Sequence, residues 1–308
     1  MRRFLRIALV ALAALLVAGG GAAYYYVIDG SARGARGYAV DIDTWRAIAA
    51  GAPDLRPTAI AVEILAIDTI PFFASQAGTN RTPYAMARTA FKLESAWGDT
   101  LIDVGMDRAI AARAGSQDTF DDAAFARIEA AMSQARRIAV THEHPDHAAL
   151  LARTRADIDA ARVVRLTQPQ LDGIQTYRRP EDGPLELPGE AIVALDAPMA
   201  IAPGVVMIPA PGHTPGSVMF FVAMADGREV LFVGDVAWNI DNIRLARSRP
   251  RLVQEFFMVT REDRAAVMAQ IAALHDLWQA EPDLVMLTSH DLRQIETLKG
   301  EGLIRQSF

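Results

Sequence analysis

No cysteine occurs in this 308-residue chain. The chain can therefore form no disulfide and offers no thiolate as nucleophile or metal ligand, which leaves nitrogen and oxygen as its strong ligand atoms. A cysteine-free chain is compatible with an oxidising compartment. Lysine is nearly absent too, since Lys92 and Lys299 are the exceptions in an otherwise all-arginine set of cations. The formal net charge of -6 gives no general attraction to phosphate backbones, so no nucleic-acid partner is expected. Half of the chain is hydrophobic and both signs of charge are present, which reads as folded rather than disordered. Its length allows one large domain or two small ones.

Charge is also missing from Ile7 to Ile28, directly after Arg2, Arg3 and Arg6. As a helix this run would span roughly 33 Å, enough for a hydrocarbon layer of ~30 Å. Tyr24, Tyr25 and Tyr26 fall where an interfacial aromatic belt would lie. The rival reading is a cleaved signal peptide with a small-residue site near Gly21-Ala22-Ala23, and glycines 19 to 21 favour it somewhat. Residues 1–29 are thus a signal anchor or signal peptide. Both readings put the body outside the cytoplasm, on the outer face of the cytoplasmic membrane or released into the periplasm.

Residues 30–58 read as a lead-in linker with a short helical candidate at Thr44 to Ala50, and residues 59–308 as the main domain. Strands are expected at Ile60 to Ile70, at Thr89 to Glu94 and Thr100 to Val104 as a hairpin, and at Arg137 to Thr141. Further strands are expected at Val163 to Leu166, Val205 to Pro209, Ser217 to Met224, Glu229 to Val233 and Leu284 to Thr288. Helical spacing covers Phe120 to Ala135, with Asp118 or Thr119 as N-cap, and Glu262 to Ala280. Pro71 to Tyr84, with Phe72 and Phe73, reads as a loop that overhangs the site. Interleaved strands and helices make the class α/β.

The chemistry concentrates where the Arg137 to Thr141 strand ends, in Thr141-His142-Glu143-His144-Pro145-Asp146-His147. His213, Asp235 and His290 follow in Pro-Gly-His-Thr-Pro-Gly, Val-Gly-Asp-Val and Thr-Ser-His-Asp. Five of the six histidines lie in these segments. Mixed imidazole and carboxylate sets favour zinc or a similar first-row metal, and so many ligands exceed one tetrahedral ion, which points to two. His142 and His144, two apart in an extended segment, face the same side and can reach one ion. Asp146 and His147 follow a proline that turns the chain, so they can face a second. Glu143 points away. His275, mid-helix with no ligand beside it, is left out.

The order of these four signatures resembles the metallo-β-lactamase superfamily of hydrolases, and Leu101-Ile102-Asp103-Val104-Gly105 resembles the strand that precedes its metal loop. The resemblance implies an αββα sandwich with a dinuclear zinc site at one edge. It implies His142, His144 and His213 on one metal, Asp146, His147 and His290 on the other, and Asp235 bridging. Asp146 and Asp235 are then the catalytic carboxylates, and a water shared by the ions is the nucleophile. The bridging aspartate is similar to the glyoxalase II, lactonase and phosphodiesterase branches rather than to the β-lactamases. Acyl-homoserine lactonases often carry a tyrosine three residues after it, where this chain has Trp238.

The implied activity is hydrolysis of an ester, thioester or lactone bond in a small molecule. The alternatives are hydrolysis of a small phosphodiester and a mononuclear-iron oxygenase reaction on the same fold. Trp238 to Phe257, including Asn239, Asp241 and Asn242, is expected to form the substrate wall. Arg244, Arg247, Arg249 and Arg251 are expected as a solvated basic run, with recruitment of anionic substrate or lipid headgroups as the rival. Tyr84 and Tyr177 are the phenols considered as proton donors. The membrane is a partner through residues 1–29 if these are retained.

Overall fold

The computed structural model describes residues 2–153, 163–179, 185, 187, 189–258 and 260–308. One sheet contains β1 (Ala59–Pro71), β2 (Pro83–Glu94), β3 (Thr100–Ile102) and β4 (Arg137–Ala139), with β10 (Arg305–Gln306) outside β1. The other runs in chain order through β5 (Met199–Ala202), β6 (Val205–Pro209), β7 (Val218–Ala223), β8 (Glu229–Gly234) and β9 (Val285–Thr288). β3 pairs with β4 in parallel, and so does β8 with β9.

The sequence of β7, Val-Met-Phe-Phe-Val-Ala, explains the layering. Alternating side chains send Phe220 and Val222 into the interface between the sheets, and Met219 and Phe221 outward under the helices. A strand buried on both faces reads as a continuous apolar run. Between the sheets, Phe91 meets Phe232 edge-on at 5.2 Å. Outside the first sheet, the helix Asp122–Gln134 lays Ile128 and Met132 on Leu65 and Leu101. Outside the second, Arg264–Ala280 lays Val267, Ile271 and Leu274 on Phe221 and Leu231. The order is helix, sheet, sheet, helix, as the αββα expectation had it.

Several local expectations are corrected. The N-cap of Asp122–Gln134 is Asp121, which accepts from the backbone N–H groups of Ala123 and Ala124. Asp118 and Thr119 instead close a preceding 3-10 turn, and extended Phe120 separates the two. Val163 to Leu166 makes isolated bridges to Ile138 and Ile192 and no strand. Residues 30–58 pack as part of the body. Trp45 of the helix Ile42–Ala49 is buried 6.2 Å from Phe221, and Arg46 pairs with Glu229 at 2.8 Å and Glu281 at 2.7 Å. Pro71 to Tyr84 is not an open loop: it holds the short helix Phe72–Ser75, Ala77 N–H donates to Ser248 O at 3.0 Å, and Tyr84 already belongs to β2.

The N-terminal residues form the helix Arg2–Ala23 followed by a wider turn, Tyr24–Ile28. Among the described residues, Arg3–Ile28 is the one helix long and apolar enough to cross a membrane, and none of it is buried.

Candidate metal centre

The site lies where the parallel strand pairs end. Asp103 follows β3, Thr141 to His147 follow β4, Asp235 follows β8 and His290 follows β9, while His213 stands on the β6–β7 connection. Gly234 makes this convergence possible. Its φ is +53°, and a Cβ there would lie 2.9 Å from the Thr141 side chain, so only glycine lets the end of β8 approach the histidine loop.

All seven sequence-predicted residues come together in two groups, each able to hold a metal ion. One is His142, His144, His213 and Asp235, and the other is Asp146, His147 and His290. In the first, His144 Nδ1 lies 3.1 Å from His142 Nε2 and 3.0 Å from His213 Nε2, and Asp235 Oδ2 lies 3.3 Å from His213 Nε2. In the second, His147 Nε2 lies 3.2 Å from His290 Nε2 and 3.5 Å from Asp146 Oδ2. Two atoms each ~2.0–2.1 Å from one tetrahedral ion are about 3.3 Å apart, so these separations fit shared ions. Asp235 spans both groups, with Oδ1 3.0 Å from His290 Nε2. That oxygen is buried and has no hydrogen-bond donor of its own.

The outward ring nitrogens fix the inward ones. His147 Nδ1–H donates to Asp103 Oδ2 at 2.8 Å, His213 Nδ1–H to Glu262 Oε1 at 2.5 Å, and His290 Nδ1–H to the Ala87 carbonyl at 2.7 Å. Each bond keeps the proton outside and turns the Nε2 lone pair toward the centre. Asp103 has φ +61°, a left-handed conformation unusual for a side-chain-bearing residue, and also accepts from Thr141 N–H at 2.6 Å.

Charges around the site are arranged in pairs. Burial disfavours the Asp146 carboxylate, but Arg88, His147 and His290 outweigh it and hold its pKa below the usual range. Arg88 bonds Asp146 with one nitrogen and Asp68 with another, at 2.7 Å through Nε. Glu262, buried, is brought down to about 2 by Arg249 and His213. Burial keeps His142 and His144 neutral, the latter lowered to about 3. His147 goes the other way. Burial opposes its charge, but Asp146, Asp103 and Asp235 raise it to about 9.

Glu143 does point away from the metals, and it has a task there. Its carboxylate accepts from Thr214 Oγ1 at 2.8 Å and from Gly216 N–H at 3.2 Å, which ties the histidine loop to the loop bearing His213. His275 stands apart, with Nδ1 bonded to Ile243 O at 2.9 Å.

A cleft of about 190 Å³ opens over Asp146 and Asp235, walled by Arg88, Met106, Trp238, Phe257 and Met258. The expected wall is therefore right at its two ends and wrong between them. Asn239 and Asn242 are buried, capping Ile240–Arg244 and holding the Ser75 backbone carbonyl and side chain. The basic run is solvated at Arg244 but not at Arg247 or Arg249. Arg249 is buried on Glu262 and donates to the Asp235 carbonyl at 2.7 Å, and Arg247 donates to Ala77 O at 2.9 Å. Tyr84 is buried against Phe72, and neither it nor Tyr177 lines the cleft. Sequence reasoning missed Asp103 and Glu262 as partners of ligating rings, and missed Arg88 and Arg249 as their charge balance. Asp103 had one signal, a carboxylate directly after a buried strand; the others had none.

The chain belongs to the metallo-beta-lactamase superfamily, whose pattern matches residues 98–301. Together with the His/Asp metal-binding cluster this makes it a metal-dependent hydrolase with a site for a divalent ion. A quorum-quenching N-acyl homoserine lactone lactonase superposes with a TM-score of 0.56 at 17% identity, over 79% of this chain and 96% of that one. A B. thuringiensis AiiA mutant with N-decanoyl-L-homoserine bound at its active site gives 0.56 at 16%, over 79% and 97%. A probable metal-dependent hydrolase from Staphylococcus aureus gives 0.52 at 14%, over 77% and 91%. At such identities the likeness is one of fold. No curated protein matches the chain.

Proposed function

We propose that the chain hydrolyses an ester, thioester or lactone bond of a small molecule with two divalent ions, zinc the first expectation. His142, His144 and His213 hold one, Asp146, His147 and His290 the other, and Asp235 both. The observation that carries this reading is the reach of one carboxylate across two ligand groups, from 3.3 Å at His213 to 3.0 Å at His290. When bound, the ions supply an activated water and polarise the scissile carbonyl.

The protein's own residues do the rest. Asp103, Glu262 and the Ala87 carbonyl hold three imidazoles in the ligating tautomer. Trp238, Met106, Phe257 and Met258 give the cleft apolar walls that suit an acyl group and limit water at the carbonyl. The lactonase among the structural neighbours supports a lactone as one of the three bonds. Trp238 offers no phenolic proton to the leaving oxygen. The arginines ahead of the apolar span support a body on the outer side of the cytoplasmic membrane.

Elemental analysis with a panel of esters, thioesters, lactones and phosphodiesters tests the proposal. Two zinc ions per chain and chelator-sensitive turnover of an acyl bond are expected. One iron and no zinc, or turnover of phosphodiesters alone, overturns it.

A further inference from the structure

The apolar span enters the body without a free linker. Gly78 N–H donates to Val27 O at 3.1 Å, Ser248 N–H to Gly30 O at 2.8 Å and Ala32 N–H to Ala246 O at 2.8 Å. Arg264 Nη2 donates to Asp29 O at 2.9 Å. Gly30 is pressed so closely that a Cβ would lie 2.3 Å from Ala77 Cβ. The Arg251 guanidinium sits 4.0 Å over the Tyr25 ring, and Tyr26 lies 6.1 Å from Phe256. The end of the span is thus bolted to the helix Arg251–Phe256, and the next two residues, Phe257 and Met258, wall the cleft.

The surface beside that junction is apolar where a water-facing surface would not be. Phe257 is 73% exposed, Phe256 64% and Leu245 53%, and Tyr24 and Ile28 continue the patch onto the span itself. Exposed Arg33, Arg36 and Arg244 stand close by in sequence to this junction. Large exposed aromatics grouped at the outer end of an apolar helix, with exposed arginines nearby in the chain, match the chemistry of a bilayer interface with its headgroups.

We infer that the chain keeps its N-terminal span and that the Leu245, Phe256 and Phe257 face rests in the outer interface of the same bilayer. The cleft then opens beside lipid and receives an acyl-bearing amphiphile from the membrane. Only this last step rests on the proposed hydrolysis; the placement stands on the junction. The rigid attachment matters here, because a flexible tether would leave the cleft free to face water.

The absence of cysteine allows a clean test. Full-length Leu245→Cys, Phe257→Cys and Leu55→Cys proteins are nitroxide-labelled and placed in phosphatidylcholine–phosphatidylglycerol vesicles. Leu55 is the control, an exposed residue just ahead of β1, whose start pairs with Glu94 at the end of the sheet away from the cleft. Labels at 245 and 257 should be reached by oxygen far better than by a water-soluble nickel chelate, with the reverse at 55. Equal nickel access at all three, or a mature protein from cells whose mass lacks the span, overturns the placement.

The substrate route has its own arm. The Leu245→Asp/Phe256→Asp protein should turn over a short soluble ester within about twofold of wild type and a vesicle-borne long-chain ester roughly fivefold or more slowly. Unchanged turnover of both overturns the membrane route. Membrane-buried labels in a wild-type protein that hydrolyses neither ester overturn the hydrolytic reading instead and support the placement.

Discussion

The indole Nε1–H of Trp238 donates to Asp235 Oδ2 at 2.9 Å, the same oxygen that faces His213 Nε2 at 3.3 Å. One ring therefore orients the carboxylate and walls the cleft. Trp238→Phe keeps an aromatic wall and removes the donor. Metal affinity or turnover should fall roughly 10- to 100-fold, the usual cost of losing such a partner. Chelator competition and kinetics check this, and an unchanged protein would show the bond to be idle.

Asp103 acts through His147. Asp103→Asn tolerates the left-handed backbone but removes the charge and turns an amide N–H₂ toward a donor. The group containing His147 should then bind its ion more weakly than the group containing His213. Titration with a graded chelator should strip one ion per chain early while the other stays. Loss of both together would argue against separate support for the two groups.

Proton release on metal binding follows from His147. Its pKa of about 9 in the metal-free fold lies above the ordinary 6.5, so its protonation stabilises the metal-free fold fully below about 6.5 and is lost as pH rises through about 9. Metal needs the neutral imidazole, whereas His142 and His144 are neutral already. Calorimetry in buffers of different ionisation enthalpy should count about one proton more released per chain at about pH 7.5 than above about pH 10, where His147 is already neutral. Equal counts at the two values contradict the assignment.

The arginine-flanked span predicts an exported C-terminus. A reporter fused after Phe308 should be active only if it works outside the cytoplasm. Activity of a strictly cytoplasmic reporter there would reverse the orientation.

Much of this was legible because ligand spacing is local. His142 to His147 declare themselves within one loop, and the all-apolar β7 declares a strand covered on both faces. Partners of the ligands are not local. By sequence Glu262 reads as the first residue of a helix, which in the structure starts at Arg264 with Asp263 as N-cap, and nothing in its neighbourhood shows that it reaches His213 across 49 positions. Arg249 lies in a run of like charges, and charge density cannot distinguish a solvated run from one cation buried on one carboxylate. The helix Ile42–Ala49 was too short for periodicity to reveal that Trp45 seals the outer face of the second sheet.

The central claim is that Asp235 holds two ions together. Its most direct test is the metal content of Asp235→Ala beside wild type and His275→Ala, whose ring is bonded to Ile243 and lies outside both groups. Wild type and His275→Ala should each carry two divalent ions per chain. Asp235→Ala, lacking the charge that offsets their repulsion, should retain about one and lose hydrolysis by orders of magnitude while staying folded. An Asp235→Ala protein with two ions and full turnover of a wild-type substrate would contradict the account.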